Sequence, residues 1–210
     1  MRPPSCEAGS CELVKHKVET EIKLRIDDAG DIKRRLKALG FGRVTARHFE
    51  SNRLFDFPNF TLGRNGCLLR LRRARGRTIL TFKAPTVRSS RPSGRFKVRP
   101  EFEAEVNGRR LEQIFAAGGL RQLLRYDKYR TEYRAAAGGR WRGLEAMYDE
   151  TPVGNFLELE GTERAIDRAA RALGFSHSDY ITSSYAELYH RWCWNRGIKP
   201  GEMVFSKRRA

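Results

Sequence analysis

The sequence has no apolar run near the roughly 20 residues that a membrane-spanning helix needs. Its first ten residues, Met1–Ser10, hold one arginine and no apolar core of the kind a signal peptide carries. A cytoplasmic location, away from membranes, is the expectation that follows. Its four cysteines, Cys6, Cys11, Cys67 and Cys193, fit no zinc spacing and no disulfide framework. They read as unrelated thiols in a reducing compartment. No histidine among His16, His48, His177 and His190 presents itself as catalytic. Acidic residues are outnumbered, 25 against 42 Lys and Arg, for a formal charge of +17. Such a balance points to polyanionic partners without choosing among them. Signatures of the RRM and KH nucleic-acid folds are missing.

With 210 residues, 40% of them apolar, the chain can build one large domain. Met1–Cys11 is rich in Pro, Ser and Gly, so residues 1–14 are expected to be disordered. Residues 15–195 read as the domain. Residues 196–210 read as a basic tail, with Lys207, Arg208 and Arg209 solvated. No internal linker is long enough to divide the chain.

His16–Ile26 alternates strictly. Val18, Ile22, Leu24 and Ile26 share one parity, and Glu19, Glu21, Lys23 and Arg25 share the other. That pattern is a strand with one apolar and one charged face. Asp27 or Asp28 can cap a following helix that Gly40 ends. Further strands are expected at 43–57, at 67–74 and 77–84 as a hairpin around Arg75-Gly76, at 96–106, at 120–134, and at 141–150 paired with 156–161. Helices are expected at 109–117, 163–173 and 183–194.

The ionic face recurs from strand to strand. Arg70 and Arg72 alternate with Leu69 and Leu71, and Thr81 and Lys83 with Leu80 and Phe82. Glu101, Glu103 and Glu105 alternate with Phe102, Ala104 and Val106. Lys128 and Arg130 flank Tyr129, and Glu158 and Glu160 follow Asp149. A sheet with one wet face would also alternate. Here, however, the polar face is almost purely ionic, and the signs segregate by strand. A soluble face tends to intersperse them. A closed barrel with charges inward explains this better, because buried charges must meet partners, metals or ligands. A triphosphate with Mg²⁺ or Mn²⁺ supplies both.

Seven blocks resemble the CYTH superfamily, the triphosphate tunnel metalloenzymes, along roughly residues 18–188. They are Glu19-x-Glu21-x-Lys23, Leu69-Arg70-Leu71-Arg72, Thr81-Phe82-Lys83, Glu101 to Glu105, Lys128-Tyr129-Arg130, Asp149 with Gly154 to Glu160, and Ser184 to Leu188. The resemblance implies an α+β fold, an eight-stranded antiparallel β-barrel with helices packed outside. It implies that Lys23, Arg70, Arg72, Lys83, Lys128 and Arg130 hold a triphosphate. It implies that Glu19, Glu21, Glu103, Asp149, Glu158 and Glu160 hold one or two ions of Mg²⁺ or Mn²⁺, or position a water. Lys23, Glu21 and Lys83 are the catalytic candidates. Phe55 to Pro58 and Asp149 to Phe156 look like the layout of class IV adenylyl cyclases, which make cyclic AMP and pyrophosphate from ATP. Where thiamine triphosphatases often carry a tyrosine, this chain has Leu54 and Phe55, which cannot exchange a proton. An inorganic or organic triphosphatase is the alternative. A non-catalytic polyphosphate or RNA binder, using Arg88, Arg91, Arg95, Lys97 and Arg99, is a further one. Nucleic acid is not the expected partner, and a homodimer stays open.

Overall fold

Strands that are apolar on one face and ionic on the other can bury both faces only if the sheet closes. The computed structural model describes residues 17–86, 95–136 and 138–206. Eight strands close into one barrel in the order β1-β5-β4-β3-β2-β6-β7-β8, and every neighbouring pair is antiparallel. The strands are β1 (Lys17–Ile26), β2 (Phe41–Asp56), β3 (Leu68–Ala74), β4 (Arg77–Lys83), β5 (Lys97–Glu105), β6 (Arg121–Ala135), β7 (Glu145–Thr151) and β8 (Gly154–Glu160). The helices are α1 (Ala29–Ala38), α2 (Thr61–Arg64), α3 (Gly108–Ala117), α4 (Glu163–Ala172) and α5 (Tyr185–Trp194). Among the described residues no helix is long and apolar enough to cross a membrane. The expected segment 1–14, Cys6, Cys11, Arg88, Arg91 and Lys207 to Arg209 fall outside the described residues.

Local chemistry explains the joints. Asp28 caps α1, its carboxylate accepting from the amides of Gly30 and Asp31. Arg75 and Gly76 turn β3 into β4 with both φ angles positive, the geometry of a two-residue hairpin turn. Gly154 opens β8 at φ 131, where a Cβ would stand 3.0 Å from the Arg25 guanidinium. Ser184 and Glu187 form a reciprocal capping box that starts α5.

The outward faces carry the main core. Ile22 and Leu24 of β1, Leu157 and Leu159 of β8, and Tyr148 of β7 pack with Leu36 of α1, Ile166 of α4 and Leu173, which caps α4. Full burial of each such aliphatic side chain contributes about 1.5–3 kcal/mol. On the other side of the barrel, Phe55 and Leu71 pack on Phe115 of α3.

Three features depart from the pattern expected from sequence. First, the interior is not ionic throughout. At one end Leu54, Leu124, Tyr126 and Phe156 pack with Tyr185, Tyr189 and Cys193 of α5. An apolar plug seals that end, because side chains there have neither solvent nor ligand to meet. Second, Trp141 belongs to a buried turn before β7 rather than to the strand. Third, the segment read as a basic tail returns to the barrel. Met203 is 1% exposed, and it exchanges backbone hydrogen bonds of 2.9 Å with Arg125 and Asp127 of β6.

Candidate active site

The inward faces surround a cavity of about 200 Å³. Eight carboxylates line it: Glu19, Glu21, Glu101, Glu103, Glu132, Glu145, Glu158 and Glu160. Five cationic side chains join them: Arg70, Arg72, Lys83, Lys128 and Arg130. The lining therefore carries an excess of negative charge, opposite in sign to the chain as a whole.

On one wall, Lys83 Nζ donates to Glu19 and Glu101 at 2.6 Å each. Arg70 lies 3.5 Å from Glu101 and donates to Thr81 Oγ1 at 3.1 Å. Arg72 reaches Glu103 at 3.3 Å. Burial, and a hydrogen bond with Glu19, push the Glu101 carboxyl up to about 8. Burial also works against the charge of Glu19, but that hydrogen bond and the Lys83 ammonium bring it down to about 2. Around neutral pH the pair therefore shares one proton, a sign that positive charge is short on this wall.

On the opposite wall, Lys23 lies 3.2 Å from Glu158 and 3.4 Å from Glu21. Burial would discharge Lys23, yet these two carboxylates hold its ammonium above the usual range. Arg130 forks onto Asp149 at 2.7 and 2.6 Å and also meets Glu158. Lys128 donates to Asp149 at 2.9 Å and lies 3.5 Å from Glu50. The Tyr185 hydroxyl donates to Asp149 at 2.6 Å. Despite burial, Lys128 and Arg130 keep Glu50 well below the usual carboxylate range.

The structure thus gathers Glu19, Glu21, Lys23, Arg70, Arg72, Lys83, Lys128, Arg130, Glu158 and Glu160 around one space. Glu103 lines it too, but its side chain is 41% exposed at the rim. Asp149 stands apart from the other expected metal ligands. It is fully buried behind the lining, and both its oxygens are taken by Lys128, Arg130 and Tyr185. Arg25 is exposed near the plugged end, over the Phe156 ring. Glu105 is at the surface with Arg77. Lys97 and Arg99, expected in an outer basic loop, turn inward instead. Arg99 is spent on the carbonyls of Gly66, Lys83 and Ala84. Lys97, pushed down to about 8 by burial and by Lys23, faces Glu21.

Sequence reasoning missed Glu50, Asn52, Tyr126, Glu132 and Glu145. Tyr185, read from the sequence only as part of the helix at 183–194, lines the cavity, with the ammonium groups of Lys23 and Lys128 5.3 and 5.1 Å from its ring center. Glu132 and Glu145 had a usable signal, since each shares parity with a residue already picked on its strand.

Oxygen is the only donor type these carboxylates offer, which suits hard divalent ions such as Mg²⁺ or Mn²⁺. Among the described residues, no three such side chains already stand together as a cage.

A closed antiparallel barrel with an ionic interior defines a class of tunnel-shaped proteins. The chain belongs to the CYTH domain family, whose model matches residues 17–185. It is 27% identical over 183 residues to MJ0240 of Methanocaldococcus jannaschii, named as a candidate adenylate cyclase, covering 81% of this chain and 98% of that one. Among solved structures, PH1819 of Pyrococcus horikoshii is 22% identical with a TM-score of 0.67, covering 82% of this chain and 98% of that one. A Hippeastrum protein, HpAC1, is 19% identical with a TM-score of 0.56, covering 87% of this chain and 97% of that one. HpAC1 is described as a candidate adenylyl cyclase with a dominant triphosphatase activity. At these identities the two structures share the fold.

Proposed function

We propose that this protein is a divalent-metal-dependent enzyme acting on a triphosphate inside the barrel, with the class IV adenylyl cyclase reaction as its chemistry. The observation that carries the reading is the mixed lining: five cations able to grip phosphate oxygens, with eight carboxylates in excess of them. A bare polyanion would be repelled by those carboxylates. A triphosphate arriving with Mg²⁺ or Mn²⁺ satisfies both sets.

In this reading Arg70, Arg72 and Lys83 take phosphate oxygens on one wall, and Lys23, Lys128 and Arg130 on the other. Glu19, Glu21, Glu158 and Glu160 are the groups that would hold the metal. When bound, the metal neutralises phosphate charge and supplies the positive charge that the Glu19–Glu101 proton now supplies. Glu103 adds a further carboxylate at the rim. Asp149 does not face the substrate here; it fixes Arg130 and Lys128 from behind. In the cyclase reaction the ribose 3′-oxygen attacks the α-phosphorus and pyrophosphate leaves. Lys83, Arg70 and Arg72 would stabilise the charge on that leaving group.

Hydrolysis of a triphosphate is the second reading. A cavity of about 200 Å³ suits a phosphate chain without a nucleoside. The same barrel would then serve inorganic tripolyphosphate. We assign the protein to the cytoplasm on either reading, since the substrate is a soluble anion. Incubation with ATP or tripolyphosphate and Mg²⁺ or Mn²⁺ separates them. Cyclic AMP with pyrophosphate is the expected outcome. Orthophosphate from tripolyphosphate without cyclic AMP would replace the cyclase reading by the hydrolytic one. No turnover of any triphosphate would overturn both.

A further inference from the structure

Trp194, at the end of α5, is 85% exposed, more than any other large apolar side chain among the described residues. Ile198, 47% exposed, follows directly after the helix. Its amide donates to the Cys193 carbonyl at 3.0 Å, which folds the chain back over the helix end. Half-buried Trp192 roots this corner. It stacks on Tyr189 of the plug and carries the Arg196 guanidinium 4.4 Å from its ring center. Exposed apolar side chains scattered singly are ordinary. Here an indole and an isoleucine share one helix end with cations. Arg191 is exposed one turn before Trp194, and Arg196 and Lys199 are exposed on either side of Ile198. Between Leu188 and Gly201 the chain has no Asp or Glu. The nearest acids in sequence are engaged elsewhere, Glu187 in the cap of α5 and Glu202 with Gln122 at 3.4 Å.

Charge and apolar surface together choose the occupant. A second copy of the chain would set Arg191, Arg196 and Lys199 against themselves, on a molecule that already carries +17. A nucleic acid would use the cations and stack on the indole, but it offers Ile198 nothing to bury against. An anionic bilayer takes all of them. Tryptophan settles at headgroup depth, isoleucine at the acyl boundary, and Arg and Lys on the lipid phosphates. We propose that the end of α5, through Trp194, Ile198, Arg191 and Lys199, docks the barrel on an anionic membrane surface. Such docking lies on the bilayer and needs no spanning helix. It is independent of the triphosphate reading, since none of these side chains lines the barrel cavity.

The test is co-sedimentation of the full chain with vesicles of phosphatidylcholine, alone or mixed with phosphatidylglycerol, read together with tryptophan emission. The overall charge would draw the chain to anionic vesicles by any face, so the variants decide. The unmodified protein should bind the phosphatidylglycerol vesicles, leave them at high salt, and shift its emission to the blue as Trp194 leaves water. Trp194→Ala should keep the melting temperature, because the side chain is exposed. It should lose the blue shift and bind at least about tenfold more weakly. Arg191→Gln combined with Lys199→Gln should bind about 25-fold more weakly, roughly fivefold for each cation. Full affinity in either variant would overturn the proposal. So would equal binding to phosphatidylcholine alone, or no binding to the anionic vesicles. A dimer in sedimentation analysis that Trp194→Ala dissociates would assign the face to a second copy instead. An RNA oligonucleotide bound more tightly than the vesicles, and lost in Trp194→Ala, would assign it to nucleic acid.

Discussion

Replacing Asp149 by Asn preserves shape and removes one charge from the most crowded point of the barrel. The side chain is fully buried, accepting from Lys128 at 2.9 Å, from Arg130 at 2.7 and 2.6 Å, and from the Tyr185 hydroxyl at 2.6 Å. An Asn must turn its NH₂ toward one of these donors, and it leaves two buried cations short of a counter-charge. Breaking a buried ion pair from one side costs about 3–5 kcal/mol. Chains of this size lose about 2–4 °C per kcal/mol, so the melting temperature should fall by on the order of 10 °C. Urea unfolding followed by circular dichroism, without metal, measures the effect directly. A loss below about 1 kcal/mol would show that Asp149 does not hold the two cations in the metal-free protein. It would return Asp149 to the role of metal ligand, in which its removal spares the metal-free protein and weakens only metal binding.

Three further outcomes follow from the same geometry. Glu101, pushed up from 4.5 to about 8 by burial and Glu19, carries a folded-state pKa above its unfolded one. Stability is therefore lost as pH rises from 4.5 toward about 8. Glu101→Gln cannot ionise and should gain stability over the unmodified protein across that window; parallel pH–stability curves would contradict this. Ser184→Ala removes the cap of α5 and should cost about 1 kcal/mol in denaturant unfolding, with no change as the disproof. Removal of divalent ions by a chelator should abolish triphosphate turnover, and Mg²⁺ or Mn²⁺ should restore it; turnover that persists in chelator would remove the metal from the proposal.

Much of the barrel was legible because period-two alternation leaves each strand few ways to face. Glu19, Glu21 and Lys23 could share a face only as a strand, and Arg75-Gly76 could turn β3 only into β4. The register of β2 was harder. Shifts between Arg43 and Thr45, between Thr45 and His48, and between Leu54 and Phe55 break its alternation. Glu50 and Asn52 lie in the unbroken stretch from His48 to Leu54, but there the outward Ser51 and Arg53 are polar too, so no apolar alternation marks the inward face. The plug was hidden for another reason. Leu54, Leu124 and Phe156 are apolar on the face that is ionic elsewhere, and only α5 folding across the barrel end explains them. The role of Tyr185 was hidden because a sequence does not show that a helix end reaches Asp149. Met203 gave no period at all, since a single backbone bridge docks it.

A triphosphate with a divalent ion is the proposed occupant of the barrel interior. A crystal structure with a non-hydrolysable ATP analogue and Mn²⁺ tests it most directly. The phosphate chain should lie between Lys83, Arg70 and Arg72 on one wall and Lys23 and Arg130 on the other, with an anomalous manganese peak on the carboxylates among Glu19, Glu21, Glu158 and Glu160. An empty barrel at saturating ligand, or a nucleotide bound only on the outer surface, would contradict it.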